Sequence, residues 1–267
     1  MDWMRAADNP FFAGALANRL WKHYFGVGLI EPADEINAAN PPTNPALLDW
    51  LAQDFVAHKF DLKHLHRTIL NSRVYQLSWR PNDSNRLDER NYSHARLRRL
   101  PAEVVVDSIN QATGGMEPAY VWKAKTYHTT VAPEGTRTIG LAPTRFGGTT
   151  DASGYALEVF GRPLRAETCD GERSFDVTLT QVLYLMNDAE VQAKIAAADG
   201  RLAKLLKESK DDKQLIEELY LGTLSRLPTE KETTKAVDYV AGAADRKTGL
   251  EDVLWSLLNV REFVLNH

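Results

Sequence analysis

The sequence NPALLDWLAQDFVAHKFDLKHLHRTILNSRVYQLS, residues 44–78, contains the start signals and apolar faces of two consecutive helices. Asn44 followed by Pro45 is a pair that typically caps and opens a helix. Apolar residues then recur at helical spacing as far as His58. Asp61 is the expected cap of a second helix. The apolar face of this second helix consists of Leu62, Leu65, Ile69 and Leu70. The stretch therefore predicts a helical hairpin.

The last part of the chain repeats the same order of residues. ILNSRVYQL at 69–77 matches LLNVREFVL at 257–265, and both contain the order Asn-x-Arg-x-aromatic. Similar apolar and acidic positions precede both motifs at a nearly constant offset. We interpret residues of about 42–78 and 228–267 as duplicated helical hairpins. A chance likeness between two amphipathic helices is the alternative.

Helical patterns continue over most of the remaining chain, with one interruption. The last helices are predicted at 211–226, 229–244 and 250–266 from their apolar spacing and from the capping-box order Thr-Glu-Lys-Glu. Residues 116–174, in contrast, are dense in Gly, Pro and Thr and have only local strand character. The chain therefore predicts a mainly α fold, a helical-hairpin bundle that forms a single domain over 1–267, with an irregular, partly β insertion at about 116–174.

Composition and charge exclude several classes of protein. The 267 residues carry a formal net charge of −4 and are 43% hydrophobic, which is typical of a globular protein and gives no general attraction to nucleic acid. The most basic stretch, residues 86–99, also contains Asp88 and Glu89 and is expected to be a solvated connection. No apolar run approaches the roughly 20 residues of a membrane span. The single cysteine excludes an internal disulfide. We therefore expect no nucleic-acid partner and no membrane span.

That cysteine lies in VFGRPLRAETCDGERS, residues 159–174, among arginines and carboxylates. Positive charge would favour a thiolate, but the acids next to Cys169 and the lack of a nearby histidine argue against a reactive centre. Arginine forms paired hydrogen bonds to carboxylate and phosphate groups, so the segment could bind a small anionic or sugar ligand. A network that only ties the insertion to the helices is the alternative. The candidate ligand-binding residues are Arg162, Arg165, Glu167, Glu172 and Arg173.

Three of the seven histidines lie close together, at His58, His64 and His66. Two metal ligands on one helix face are three or four residues apart, whereas His64 and His66 are two apart and point in different directions. The chain also contains no HExxH motif, no P-loop, no dinucleotide fingerprint and no nucleophile elbow. We expect solvated or capping histidines, no metal site, and no recognisable catalytic signature.

Six long motifs follow one another along nearly the whole chain. They are NPFFAGALANRLWKHYFGVGLIEP (9–32), the stretch 44–78, RLPAEVVVDSI (99–109), VFGRP (159–163), TLTQVLYLMN (178–187) and LLNVREFVLNH (257–267). In this order they resemble domain of unknown function 1553, a family found mostly in planctomycetes and related bacteria. The family has no established activity and no catalytic residues to assign here. Its cysteine pattern is often Cys-x-Cys-x-Arg, whereas this chain has Gly171 in place of the second cysteine, which argues against a two-cysteine metal or redox role.

The resemblance implies a setting for the chain. Such domains usually form the C-terminal part of large exported proteins, downstream of a signal peptide and a c-type cytochrome-like module. This implies an extracytoplasmic location, periplasmic or secreted, although no signal peptide is visible, and the abrupt start at Met1 is what we expect of a C-terminal piece. The chain has no CxxCH motif, so we expect no cofactor in it and any c-type haem on an upstream module.

These observations leave two functional hypotheses. The first is an extracytoplasmic structural or interaction module of a larger cytochrome-associated bacterial protein. Its partners would be other modules of the same polypeptide, such as a c-type cytochrome module, and polysaccharide. The alternative is an enzyme acting on extracellular carbohydrate, with a site under residues 134–174. Long helical hairpins without a catalytic signature favour the first hypothesis, whereas the tendency of irregular loops to carry binding sites favours the second.

Overall fold

The computed structural model describes residues 3, 6, 9, 11–114, 137–138, 152–162, 176–209 and 211–266, and the statements below concern these residues. Most of them lie in α-helices, which confirms the mainly α prediction. The chain divides into two compact units, Met1–Arg98 with His267, and Arg99–Asn266. The assignment of a single domain stays a prediction, and each unit is described by itself.

Unit 1 contains three helices, α1 (Phe12–Phe25), α2 (Pro45–Ala57) and α3 (Leu62–Leu70). Helix α2 begins where the sequence predicts, because Asn44 Oδ1 accepts a hydrogen bond from the Leu47 N–H. Helix α3 begins after Asp61, whose carboxylate accepts from the N–H groups of the second and third helical residues. The predicted hairpin at 44–78 is therefore confirmed as a helix pair, with turns after Leu70.

The core of unit 1 is formed where α1 packs against this hairpin. Helix α1 contributes a stripe at helical spacing, and its largest buried member is Trp21. Its C-terminal end is followed by Gly26, which has a φ of +80° and whose N–H donates to the Lys22 carbonyl. The other buried apolar residues of this core are Ala13, Ala17, Phe25, Leu29, Ile30, Leu48, Leu51, Phe55, Leu65 and Ile69.

The polar connection that follows α3 is attached to this core by the side chain of Tyr92. The Tyr92 ring lies edge-on to Trp21 and Phe25, with ring centroids 5.3 and 5.7 Å apart. Its hydroxyl donates to the Gly28 carbonyl at 2.8 Å. Tyr92 has a positive φ of 54°, so the backbone takes up a rarely populated conformation at this attachment.

Unit 2 holds the remaining elements. A two-residue strand, β1 (Arg98–Arg99), of which Arg99 belongs to this unit, pairs with β2 (Leu265–Asn266). A 3-10 helix, Arg261–Val264, precedes β2. The α-helices are α4 (Ala102–Thr113), α5 (Ala152–Val159), α6 (Leu179–Asn187), α7 (Ala189–Ala196), α8 (Arg201–Glu208), α9 (Asp212–Leu224), α10 (Glu230–Gly242) and α11 (Arg246–Asn259).

The core of unit 2 is centred on α4, α9 and α11. Helices α4 and α11 both pack against α9. Leu219, Leu250 and Leu254 are completely buried in it. Gly249 lets α11 approach α10 closely, because a Cβ at this position would lie 2.9 Å from the Ala243 Cβ. Each of these helices presents one apolar stripe to a common interior, as expected of a helical bundle.

Two details of the sequence prediction are corrected. The segment 116–174 lacks a clear helical pattern, but part of it forms helix α5. Ala156, Leu157 and Phe160 are buried against the core, and this burial stabilises a short helix that would not form from helix propensity alone. The helix predicted at 250–266 spans Arg246–Asn259 instead. It begins earlier because Asp245 caps it by accepting from the Thr248 N–H.

Helices α10 and α11 form the second predicted hairpin. Thr229 and Glu232 form the capping box at the start of α10. The cap residues Asn44 and Asp61 of the first hairpin thus have counterparts in Thr229 and Asp245. The duplication of the two hairpins stays a prediction.

Candidate functional site

Of the five candidate ligand-binding residues, one lies in the described part of the chain and four lie outside it. Arg162 is described, and its Nε lies 3.6 Å from Glu103 Oε1, with about a tenth of each side chain exposed. Arg165, Glu167, Glu172 and Arg173, like Cys169, lie outside the described residues. An ion pair therefore holds Arg162 against α4. This ion pair links the VFGRP motif to a helix of unit 2.

Gln181 joins three of the sequence motifs through one buried amide. Its Oε1 accepts from Arg99 Nη1 at 2.6 Å, and its Nε2 donates to the carbonyls of Val159 and Asp176, each at 3.1 Å. Burial of the Arg99 guanidinium lowers its pKa. Gln181 is positioned because it is also the third residue of the capping box that Thr178 opens at the start of α6. The amide satisfies two backbone carbonyls and the Arg99 guanidinium, which is a structural role.

One polar face of α4 continues this network. Glu103 pairs with Arg162, Asp107 Oδ1 accepts from the Thr138 N–H at 2.7 Å, and Asn110 Oδ1 accepts from Lys194 Nζ at 2.8 Å. Spacings of four and three residues place these three side chains on one side of the helix. Each is engaged by another part of unit 2, and the ligand-binding role of the candidate residues stays a prediction.

The outer surface of α6 is unusually apolar. Its buried side carries Gln181, Tyr184 and Leu185. On the other side, four apolar residues at spacings of three, one and three are exposed over 39% to 73% of their surface. These residues, which we name the α6 outer face, are Leu179, Val182, Leu183 and Met186.

The three histidines that lie close together in the sequence, His58, His64 and His66, are found at two separate places in unit 1. His66 Nδ1 lies 2.6 Å from the Tyr24 hydroxyl, beside the core. His58 and His64 instead flank Asp54: His64 Nε2 lies 2.8 Å from Asp54 Oδ2, and His58 Nδ1 lies 3.2 Å from Asp54 Oδ1. One ligand atom from each of these three side chains lies within 4.8 Å of the others. Sequence reasoning compared the histidines with one another and missed Asp54, although its spacing of four from His58 was readable.

Among the described residues, no helix is both long and apolar enough to cross a lipid bilayer.

Comparison with known proteins gives one result. No curated protein and no solved structure matches the chain. A family model described as PSD1, a protein of unknown function (DUF1553), matches residues 1–240. The matched range includes α1 of unit 1, α4 of unit 2 and the Gln181 network. It ends within α10, and the closing motif at 257–267 lies beyond it. Because the match covers most of the 267 residues, the chain belongs to the PSD1 (DUF1553) family.

Proposed function

We propose that the chain is a helical interaction module that docks onto another protein module through the α6 outer face. The observation that carries the proposal is the apolar stripe formed by Leu179, Val182, Leu183 and Met186. The stripe lies opposite a side of the same helix that is already buried in the core of unit 2.

The stripe is unusual for a helix at the surface. A surface helix normally carries polar residues on its outer side, and a helix that is apolar all round is normally buried. Leu179, the first residue of α6, is 73% exposed, and Val177, which precedes the helix, is 74% exposed. Contiguous exposed apolar surface of this kind marks an interaction site, because covering it removes apolar area from water. The stripe has the i, i+3, i+4, i+7 spacing that a groove or a second helix can bind.

The partner that we propose is another module of a larger exported polypeptide, with a c-type cytochrome module as the first choice. This choice, together with an extracytoplasmic location and a C-terminal place in a planctomycete-type protein, rests on the family resemblance. Polysaccharide is a weaker choice, since an aliphatic stripe offers no hydrogen bonds to sugar hydroxyls.

The docking proposal is tested by exchanging two residues of the stripe. We expect Leu179→Ser with Leu183→Ser to weaken binding of the chain to its adjoining module at least about tenfold, because each buried leucine contributes on the order of 1–2 kcal/mol. Titration calorimetry with the two purified proteins measures the effect. The control is Leu227→Ser, in which a 60%-exposed leucine outside the stripe is changed. Equal affinities for all three proteins would contradict the proposal.

The alternative, an enzyme acting on extracellular carbohydrate, gains nothing from the described network. The one described candidate residue, Arg162, is engaged by Glu103. Turnover of polysaccharide fragments by the isolated chain, abolished by Arg162→Ala, would favour this alternative over docking.

A further inference from the structure

The cluster of Asp54, His58 and His64 in unit 1 has the composition of a metal-binding site. Two imidazoles and one carboxylate are typical ligands of Zn²⁺ and related transition-metal ions, whereas Mg²⁺ and Ca²⁺ prefer sets made of oxygens. His58 follows Asp54 by four residues, which places both on one face at the end of α2. His64 comes from α3, so the set joins two helices.

The distances suit a small ion. In a tetrahedral shell with bonds of about 2.0 Å, ligand atoms lie about 3.3 Å apart. In the structure the Asp54 carboxylate oxygens lie 3.2 Å from His58 Nδ1 and 2.8 Å from His64 Nε2. The two imidazole rings are stacked, with centroids 3.6 Å apart and an angle of 18° between their planes. About half of the His58 side chain is exposed, so this ring can turn toward an ion without disturbing the core.

The turn between α2 and α3 holds the three side chains in place. The Lys59 N–H donates to the Val56 carbonyl and the Phe60 N–H donates to the Phe55 carbonyl, which together form a Schellman motif. The Phe60 ring packs edge-on against Phe55, with centroids 5.3 Å apart. Lys59 and Phe60 both have positive φ, 56° and 61°. Two such residues in succession are costly, and they persist only where the surroundings hold them.

Two carboxylates lie at the cluster. The carboxylate of Asp61 accepts a hydrogen bond from the backbone N–H of His64 at 3.2 Å, which places this carboxylate beside the cluster. The second carboxylate is that of Asp54 itself, of which only 18% is exposed.

We propose that Asp54, His58 and His64 bind one transition-metal dication of the Zn²⁺ class, which links α2 to α3. Three protein ligands leave at least one coordination position to water or to a further ligand, as in open zinc sites. The site arises from a donor on each side of a turn, which is why the histidine spacing within α3 alone did not predict it. It is independent of docking through α6, since it lies in the other unit.

Zinc binding to the whole chain tests the proposal. We expect calorimetry to give one Zn²⁺ per chain, and we expect the unfolding temperature to rise with Zn²⁺ but not with Mg²⁺. Asp54→Asn, His58→Gln and His64→Gln should each weaken Zn²⁺ binding about tenfold or more, because each removes one of three ligands. The matched control is His23→Gln, which changes an exposed histidine on α1 of the same unit.

The outcomes separate cleanly. Circular dichroism first establishes that each variant is folded, and His58→Gln is the decisive one because its side chain lies at the surface. Binding that is lost in His58→Gln and kept in His23→Gln supports the proposal. No binding at about 1 mM Zn²⁺, or unchanged binding after all three substitutions together, overturns it.

Discussion

At the scale of single residues, Arg226 forms paired hydrogen bonds with two carboxylates of unit 2. Its guanidinium donates to both carboxylate oxygens of Glu232, at 2.8 and 2.9 Å, and to both of Glu262, at 2.6 and 2.9 Å. It also lies 5.4 Å from the Tyr220 ring centroid. Glu232 belongs to the capping box of α10, and Glu262 belongs to the 3-10 helix. Arg226 therefore connects the ends of three elements.

We expect Arg226→Ala to lower the free energy of unfolding by about 1–2 kcal/mol, a figure reduced for the partial exposure of the group. Arg226→Lys should recover less than half of the loss, because an ammonium cannot form two paired contacts at once. Urea denaturation measures both changes. Arg19→Ala, which breaks an exposed pair with Asp34, is the control and should change little. A lysine variant as stable as the original protein would contradict this account.

The same contacts predict a dependence on pH. Hydrogen bonds from Arg226, with those from Thr229, lower the pKa of Glu232 from 4.5 to about 2. A carboxyl group with a lowered pKa in the folded state stabilises the fold fully above its unfolded pKa and loses this contribution as the pH falls toward the folded value. The stability gap between the original protein and Arg226→Ala should thus be constant above about pH 5 and should shrink from about pH 4.5 to 2. Denaturation midpoints measured across this range check it, and a gap independent of pH would contradict it.

At the scale of helices and turns, the C-terminal end of α2 carries a residue that suits its conformation poorly. Lys59 occupies the left-handed position of the Schellman motif, with a φ of 56°. Glycine is favoured there because a Cβ costs energy at positive φ. We expect Lys59→Gly to raise the free energy of unfolding by about 0.5–1 kcal/mol. Thermal and urea unfolding measure the change.

Lys59→Ala is the control for the loss of the lysine side chain. It should leave stability nearly unchanged, because alanine keeps the Cβ and with it the strain. If the alanine variant gains as much stability as the glycine variant, then the lysine side chain and not the backbone is responsible.

The helix starts that the sequence predicted are those set by local chemistry. Asn44, Asp61 and Thr229 each accept hydrogen bonds from the N–H groups that follow them, so a few adjacent residues contain the whole signal. Helix α5 was not predicted, because its stability depends on the burial of Ala156 and Leu157 against distant parts of unit 2. Contacts between residues far apart in the sequence leave no local pattern to read.

At the scale of the whole molecule, each unit has its own hydrophobic core. A core of its own is the main condition for a segment to fold alone. We expect a fragment of residues 1–98 to be helical and to unfold cooperatively, as measured by circular dichroism during urea denaturation. The same fragment with Leu51→Asp, a charge placed at a 2%-exposed position, should be unfolded. A fragment without a cooperative transition would favour the single domain predicted from the sequence.

The sequence predicted the candidate site less well than the fold. Motif order identified the family, whereas the ligand-binding role of Arg162 stays a prediction. The α6 outer face was not predicted, because apolar spacing identifies a helix without telling which of two apolar sides is buried. The Asp54 cluster was missed because its third member is brought in by the turn at Lys59, whose conformation is unusual for a residue other than glycine.

Because Tyr92 is attached to the core of unit 1, the two parts of the connection after α3 should differ in how well they tolerate an insertion. The part from Trp79 to Leu87 precedes the attachment, and Leu87 itself is 89% exposed. Its length can change without moving the ring that packs on Trp21 and Phe25. An epitope tag or a fluorescent label belongs there, whereas the same insertion next to Tyr92 would pull an aromatic side chain out of the core.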